Sequence, residues 1–267
     1  MLVNVSPRIN KPRIHEVMVN WAHPLTRKLE FAALFEGGVA VDLAGESSSV
    51  PNGSPQTALA NLPGIGVGAK LSSSWFSFPG TASDAPYVGA DTTILVRGTI
   101  TSNSVFHMLA VKESSTSVGF FEYRINSGPP ANLSLVCPTG GSPSDTTALA
   151  INTVYDLGVT ATFSNSAAGT VIFYINGIKS TTSTGNNYNG TTTSNTPILV
   201  GKRSDTVGEW SGTVFHVYIW NRVLSDAEMA WLSSEPYAFF IPRAPFRAIV
   251  TPTIPPSLPL MGQIWLA

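Results

Sequence analysis

The run Val171-Ile172-Phe173-Tyr174-Ile175-Asn176-Gly177 narrows what this chain can fold into more than any other feature. Val171, Phe173 and Ile175 alternate with Ile172 and Tyr174, the period of two of a β-strand. Asn-Gly then supplies the two positive-φ positions of a tight hairpin turn. Leu157, Val159, Ala161 and Phe163 alternate with Gly158, Thr160 and Thr162, which predicts a strand with one buried face. Val214–Trp220 is apolar on both faces apart from His216, as a central strand covered on both sides must be. Thr93–Ile100, Val105–Lys112, Val118–Ile125, Leu133–Val136 and Ile198–Lys202 add further strands between Gly/Ser/Asn/Pro-rich turns. The polar run Ser180–Thr196 reads as a long loop or a hairpin tip. One helix is signalled: Ser225 caps it, Glu228 completes a capping box, Leu224 and Met229 sit at the staple positions, and Pro236 follows its end near Ser233-Ser234. The fold class is therefore all-β, a two-sheet antiparallel jelly-roll sandwich with one short C-terminal helix.

Three zones follow from the composition. Residues 1–30 form a polar lead-in, 31–235 the sandwich, and 236–267 a tail with seven prolines. Prolines remove backbone donors, so this tail reads as an extended arm, lying on its own domain or on a neighbour, rather than a helix or central strand. Both ends are basic and the body acidic, with five Lys/Arg against two Glu in 1–30 and two Arg against no acid in 236–267. Only 12% of residues are charged, against about 25% in ordinary soluble proteins. That composition implies a Ser/Thr/Asn/Gly surface, a surface hidden in an assembly, or both. A net charge of −1 argues against nucleic acid as a partner, and no apolar run reaches the ~18 residues of a membrane span. The N-terminus reads as lacking a secretory signal. Cys137 is the sole cysteine, which excludes an intrachain disulfide and suits a reducing compartment.

Three segments together resemble the C-terminal half of laminin-G-type domains of the concanavalin-A-like class. They are Val-Ile-Phe-Tyr-Ile-Asn-Gly (171–177), Ile-Leu-Val-Gly-Lys-Arg (198–203) and Trp-Ser-Gly-Thr-Val-Phe-His-Val-Tyr-Ile-Trp-Asn-Arg-Val-Leu-Ser-Asp-Ala-Glu-Met (210–229). The likeness is specific over about 80 residues and loose from Trp75 to Val136. Val154-Tyr155 stand where the family carries a Trp-His strand start. The flanks Asn20-Trp21-Ala22-His23-Pro24-Leu25 and Glu235-Pro236-Tyr237-Ala238-Phe239-Phe240-Ile241-Pro242-Arg243 look like the margins of such domains in tailed-bacteriophage and prophage virion proteins. That resemblance implies a non-enzymatic structural protein of the virion, made in the bacterial host cytoplasm: a capsid decoration (cement) or head-fibre protein. It would contact a major capsid or other virion protein and form a homo-oligomer, a dimer or trimer. Assembly would run through the sandwich and the terminal arms, with Arg8, Arg13, Phe239, Phe240, Ile241 and Trp265 as contact residues of the arms. The alternative is a carbohydrate-binding adhesin module with a glycan as partner.

No catalytic set emerges. Sandwich hydrolases aim two or three carboxylates at one face from a Glu-x-Asp-x-Glu type strand, and no such run exists here. Glu113 and Glu122 read as solvent-facing strand residues. His15, His23, His107 and His216 lack metal-ligand spacing; His107 and His216 read as hydrogen-bonded structural residues and His23-Pro24 as a turn. Gly64-Ile65-Gly66-Val67-Gly68 lacks the Lys-Ser/Thr and helix of a nucleotide loop and reads as a flexible turn. A sugar needs a ring to stack on and polar groups for its hydroxyls, which singles out Tyr188 with Asn186 and Asn187, and Trp210 as a second aromatic. Laminin-G-like domains often hold Ca²⁺ at a rim, and Asp205 is the candidate ligand here; no other cofactor is implied.

Overall fold

The structure is a computed structural model that describes residues 11–45, 47–59, 66–78, 91–103, 107–112, 121–128, 130–136, 142–162, 169–186, 197–203 and 208–243. Two antiparallel sheets face each other across an apolar core, as the strand patterns predict. The larger has ten strands. Eight run in the order Ile178–Asn186, Gly169–Ile175, Tyr155–Thr162, Asp91–Ile100, Gly212–Trp220, Leu29–Glu36, Val39–Asp42, Ser47–Ser48. Val67–Leu71 also pairs with Gly212–Trp220 and carries Gln56–Leu59. The smaller sheet runs Leu133–Val136, Phe121–Ile125, His107–Lys112, Ile198–Val200, Trp75–Phe78, Val50–Asn52. Asn176 and Gly177 both take positive φ, 52° and 74°, so the Asn-Gly hairpin forms as its chemistry dictates.

The first core lies between the sheets. Phe31, Phe35, Val96, Leu157, Val159, Phe173, Val217 and Ile219 from the large sheet meet Phe76, Phe78, Phe121, Tyr123, Leu133, Leu135 and Val200 from the small one. A second core covers the other face of the large sheet. There Leu34, Leu95, Tyr174, Tyr218 and Trp220 pack with Leu224, Met229 and Leu232 of the helix region, and with Ile14, Val17, Val19, Leu25, Tyr237, Phe239 and Phe240 from the chain's two ends. The helix, Asp226–Ser234, has its full capping box, and Arg222 clamps Glu228 through two hydrogen bonds of 2.9 and 2.7 Å.

In this second core the described parts of both arms lie on their own domain. Val17–Val19 and Phe240–Pro242 pair as a two-stranded antiparallel sheet, Val17 opposite Pro242 and Val19 opposite Phe240. The indole of Trp220 donates to the Leu25 carbonyl at 2.6 Å, and the Tyr218 hydroxyl to the Pro236 carbonyl at 3.1 Å. Phe239 and Phe240 are sealed inside, and Ile241 is half-buried opposite Met18, so these residues hold the chain's own fold. The physical reason is simple: the outer face of Gly212–Trp220 is aromatic and must be covered. Arg13 is exposed beside this strap, whereas Arg8 and Trp265 lie outside the described residues.

Two strands also differ from expectation. Tyr155–Thr162 is buried on both faces, because the helix packs over Gly158: a Cβ there would collide with the Met229 methyl. The polar stretch from Ile178 to Asn186 is an edge strand, not a loop, held by backbone pairing to Gly169–Ile175. Among the described residues no helix is long and apolar enough to cross a membrane.

Since Phe239 fills the second core without any solvent contact, Phe239→Ala is expected to cost about 3–5 kcal/mol in urea unfolding. A loss below about 1 kcal/mol would show that the strap is not part of the fold's core.

Candidate functional site

Tyr188, Asn187 and Asp205 lie outside the described residues, and Asn186 ends the edge strand opposite Gly169. Trp210 is a correction. It has no solvent exposure, its indole N–H donates to the Thr99 carbonyl at 2.8 Å, and a Cβ on Gly98 would come within 2.5 Å of its ring. It is a core wall and offers no sugar platform.

The chemistry-bearing groups gather instead on the outer face of the six-stranded sheet. Period-two alternation turns Phe121, Tyr123 and Ile125 inward and so turns Glu122 and Arg124 outward; likewise Phe76 and Phe78 face in, Trp75 and Ser77 out. Glu122 is not the solvent-facing residue expected from sequence. It is buried, with Oε1 accepting from Arg203 Nη1 and Oε2 from Arg124 Nη1, both at 3.1 Å. Arg124 also donates through Nε to Asn126 Oδ1 at 3.3 Å, and burial lowers its pKa against the pull of Glu122. Farther across the face, Lys202 Nζ stands 3.4 Å from Glu209 Oε1 and 4.0 Å from the centroid of the half-buried Trp75 ring. At the sheet edge Asn126 Nδ2 donates to Asn132 Oδ1 (3.0 Å) and Ser144 Oγ (3.3 Å), while Asn132 Nδ2 holds the Asp145 carbonyl at 2.6 Å. The face therefore combines an indole with guanidinium, ammonium, carboxylate and amide groups in fixed positions. Alternation in the sequence could have placed Glu122 with Arg124 and Trp75 with Ser77. The partners Lys202, Arg203 and Glu209 arrive from a distant segment and carry no local signal.

A second polar group lies under the helix, on the opposite face of the large sheet. Arg97 Nη1 holds both oxygens of Asp156 at 3.1 and 3.0 Å, and Ser233 donates to Asp156 Oδ2 at 2.9 Å. His216, in register with Arg97, stacks on Tyr218 with centroids 4.1 Å apart and meets the edge of Tyr237 at 5.5 Å. Neither His216 nitrogen has a partner, which departs from the hydrogen-bonded role expected for it; burial, with Arg97 and Lys11 nearby, pushes its pKa well below the ordinary histidine value. His107 does fit that role, its Nε2 2.6 Å from the Ser102 carbonyl and its Nδ1 accepting from Ser211 N at 3.1 Å. The row from Asp156 to His216 is sealed beneath the strap, so it braces the second core. Asp42 is likewise internal: its carboxylate accepts from the backbone of Ala32, Ala44 and Gly45, and burial raises its pKa to about 6. Among the described residues no three His, Cys, Asp or Glu side chains group as metal ligands.

A family model described as the Concanavalin A-like lectin/glucanases superfamily matches residues 77–230, more than half of the chain. The chain belongs to this superfamily. No curated protein matches it. Among solved structures, domain 4 of an extracellular arabinanase from Geobacillus stearothermophilus, in complex with arabinotriose, aligns at TM-score 0.58 and 13% identity, covering 77% of this chain and 98% of that one. The binding domain of Paraclostridial Mosquitocidal Protein 1 aligns at TM-score 0.55 and 14% identity over 80% of this chain and 53% of its own. Trypanosoma rangeli sialidase in complex with sialic acid aligns at 0.55 and 15%, over 79% and 33%. This superfamily member thus spans nearly all of the arabinanase domain, about half of the toxin binding domain and a third of the sialidase. At these identities the likeness is one of fold.

The pH response of the second core follows from His216. Its folded-state pKa is depressed, so the unfolded chain takes up a proton that the folded chain refuses, and this residue removes stability as pH falls below about 6.5. Asp42 and Asp156, both raised by burial, act in the opposite sense as pH falls. His216→Leu is therefore expected to gain on the wild type by up to about 1.4 kcal/mol per pH unit below 6.5 in urea titrations at stepped pH. Parallel stability profiles for the two proteins would refute this role.

Proposed function

We propose that the chain is a non-enzymatic carbohydrate-binding module that takes its glycan on the outer face of the six-stranded sheet. The observation that carries the reading is the Trp75 indole set among Lys202, Glu209 and the Arg203–Glu122–Arg124 triad, on the side of that sheet turned away from both cores. A pyranose presents an apolar face that stacks on a ring and hydroxyls that require fixed donors and acceptors, and this face offers both. The arabinotriose complex of the similar arabinanase domain and the sialic acid complex of the sialidase lend support from the same fold. Absence of hydrolysis is argued from the carboxylates. A glycosidase needs two carboxylates free to flank the scissile bond, whereas both oxygens of Glu122 accept from guanidinium groups and Glu209 Oε1 stands 3.4 Å from Lys202 Nζ. Tyr188 with Asn186 and Asn187 remains part of the proposal on sequence grounds, as does a Ca²⁺ ligand at Asp205.

The virion structural reading rests on the likeness of the flanking sequences. Its assembly argument is weakened because Phe239 and Phe240 are used inside the fold.

Retention of the full chain on immobilised arabinan, sialylated and neutral glycans, with and without calcium, tests the reading. Trp75→Ala is expected to weaken retention about tenfold, the loss of one stacking contact, and Tyr188→Ala to weaken it further. No retention of the wild type under any condition would overturn the proposal.

A further inference from the structure

The most exposed Phe, Tyr or Trp side chain among the described residues is not on that sheet face. It is Trp21, 56% exposed, in the turn that leads from the strap strand into the sandwich. The same turn carries His23, whose ring stands 5.0 Å from that of Trp231, tilted by 51°. Trp231 projects from the helix and is itself 37% exposed, and its indole N–H reaches Glu235 Oε2 at 3.4 Å. An imidazole, a solvent-facing indole and a carboxylate thus meet where the N-terminal turn reaches the helix, and a second exposed indole, Trp21, lies two residues before His23 in that turn.

The protonation of this patch is fixed by its hydrogen bonds. His23 Nδ1 accepts the Leu25 backbone N–H at 3.3 Å, so the neutral ring carries its proton on Nε2, as a donor. Partial burial lowers its pKa, against the pull of Glu235, and keeps the ring neutral at pH 7. Glu235 supplies the acceptor. The turn is also rigid. The Thr26 hydroxyl donates its one proton to the His23 carbonyl at 2.6 Å, with the Asn20 and Trp21 carbonyl oxygens 3.3 and 3.2 Å from Oγ1; Asn20 N–H donates to the Phe239 carbonyl at 2.8 Å; and Trp220 pins Leu25. Large exposed rings held on an ordered backbone lose little freedom on binding, which is what a stacking platform requires.

From these groups we infer that the Trp21–His23–Trp231–Glu235 rim is a second carbohydrate-binding site, selective for neutral sugars. The indoles stack on the apolar face of a pyranose, the His23 Nε2–H and the Glu235 carboxylate engage its hydroxyls, and the carboxylate repels acidic sugars. A protein partner would gain from the same apolar area, but the donor and acceptor beside the Trp231 ring match a polyhydroxylated ring better than an apolar surface. The inference rests on the carbohydrate-binding reading for its ligand class and on nothing else in it, since the two faces share no residue.

The test uses the full chain on an array of neutral and sialylated oligosaccharides, with Trp21→Ala, Trp231→Ala and Trp75→Ala side by side and their melting temperatures recorded. Expected is at least one neutral glycan whose retention falls about tenfold in both Trp21→Ala and Trp231→Ala and is unchanged in Trp75→Ala. Both rim variants should melt within a few degrees of the wild type, as exposed residues do. If every retained glycan is indifferent to the rim variants and only Trp75→Ala weakens binding, the second site is wrong and the sheet-face reading stands. If no glycan is retained by the wild type, both fall. A self-associated wild type that becomes monomeric in Trp21→Ala, with glycan retention unchanged, would assign the rim to a protein interface and overturn the proposal.

Discussion

The outer face of the strand Gly212–Trp220 dictates the rest of this molecule. His216, Tyr218 and Trp220 project from it, away from the first core, into a layer that also receives Leu34, Leu95 and Tyr174 from neighbouring strands. Left to solvent, that surface would lose roughly 25 cal/mol for each Å² of apolar area. It would also form a single apolar patch larger than monomers normally show. The chain closes it with its own ends: the helix, the segment from Tyr237 to Phe240, and the turn and strand from Ile14 to Leu25. Contacts between positions near residue 20 and near residue 240 are among the most non-local that the fold contains. They tie the two ends of the described chain into one unit.

How much of this the sequence discloses depends on whether a residue's partner is local. The Asn176-Gly177 turn and the capping box at Ser225 and Glu228 are complete within four residues, and both appear in the structure as read. Period-two alternation correctly turns Val159 and Phe173 toward the core. Alternation cannot say what covers the polar or small side of a strand. Gly158 and Thr160 look exposed in sequence because neither is apolar, yet the helix packs over them, and only glycine leaves room for Met229. The polar strand Ile178–Asn186 escapes pattern reading for the converse reason: its pairing is carried by the backbone, which every sequence supplies. A Pro-rich, aromatic tail is legible as extended and as seeking burial. Whether it finds that burial at home or on a neighbour depends on the uncovered face of a strand some twenty residues upstream.

The same rule governs the sites. Trp210 satisfies every local criterion for an exposed ring near polar residues, yet its indole N–H already has the Thr99 carbonyl, and Gly98 makes space for it. His23 and Trp231, more than two hundred positions apart, are joined only by the strap and the helix lying side by side, so nothing local marks them as a pair. Glu122 gains its meaning from Arg203, which reaches it from beyond a neighbouring strand. Paired in this way, the carboxylate is a fixed acceptor and a brace.

A strap that closes a core has a further effect on function. The turn bearing Trp21 and His23 would be a mobile end if the ten-stranded sheet were buried on one face only, and an exposed indole on a mobile end binds weakly because ordering it costs freedom. Sealing Phe239 and Phe240 beneath the turn, and holding Leu25 through Trp220, removes that freedom at folding instead. The buried, unpartnered imidazole of His216 shows that the seal is not optimised for stability alone, since neither of its nitrogens is satisfied beneath it. The structure accepts that local penalty, and the covering segments in return hold their outward-facing aromatic and polar groups in one fixed arrangement.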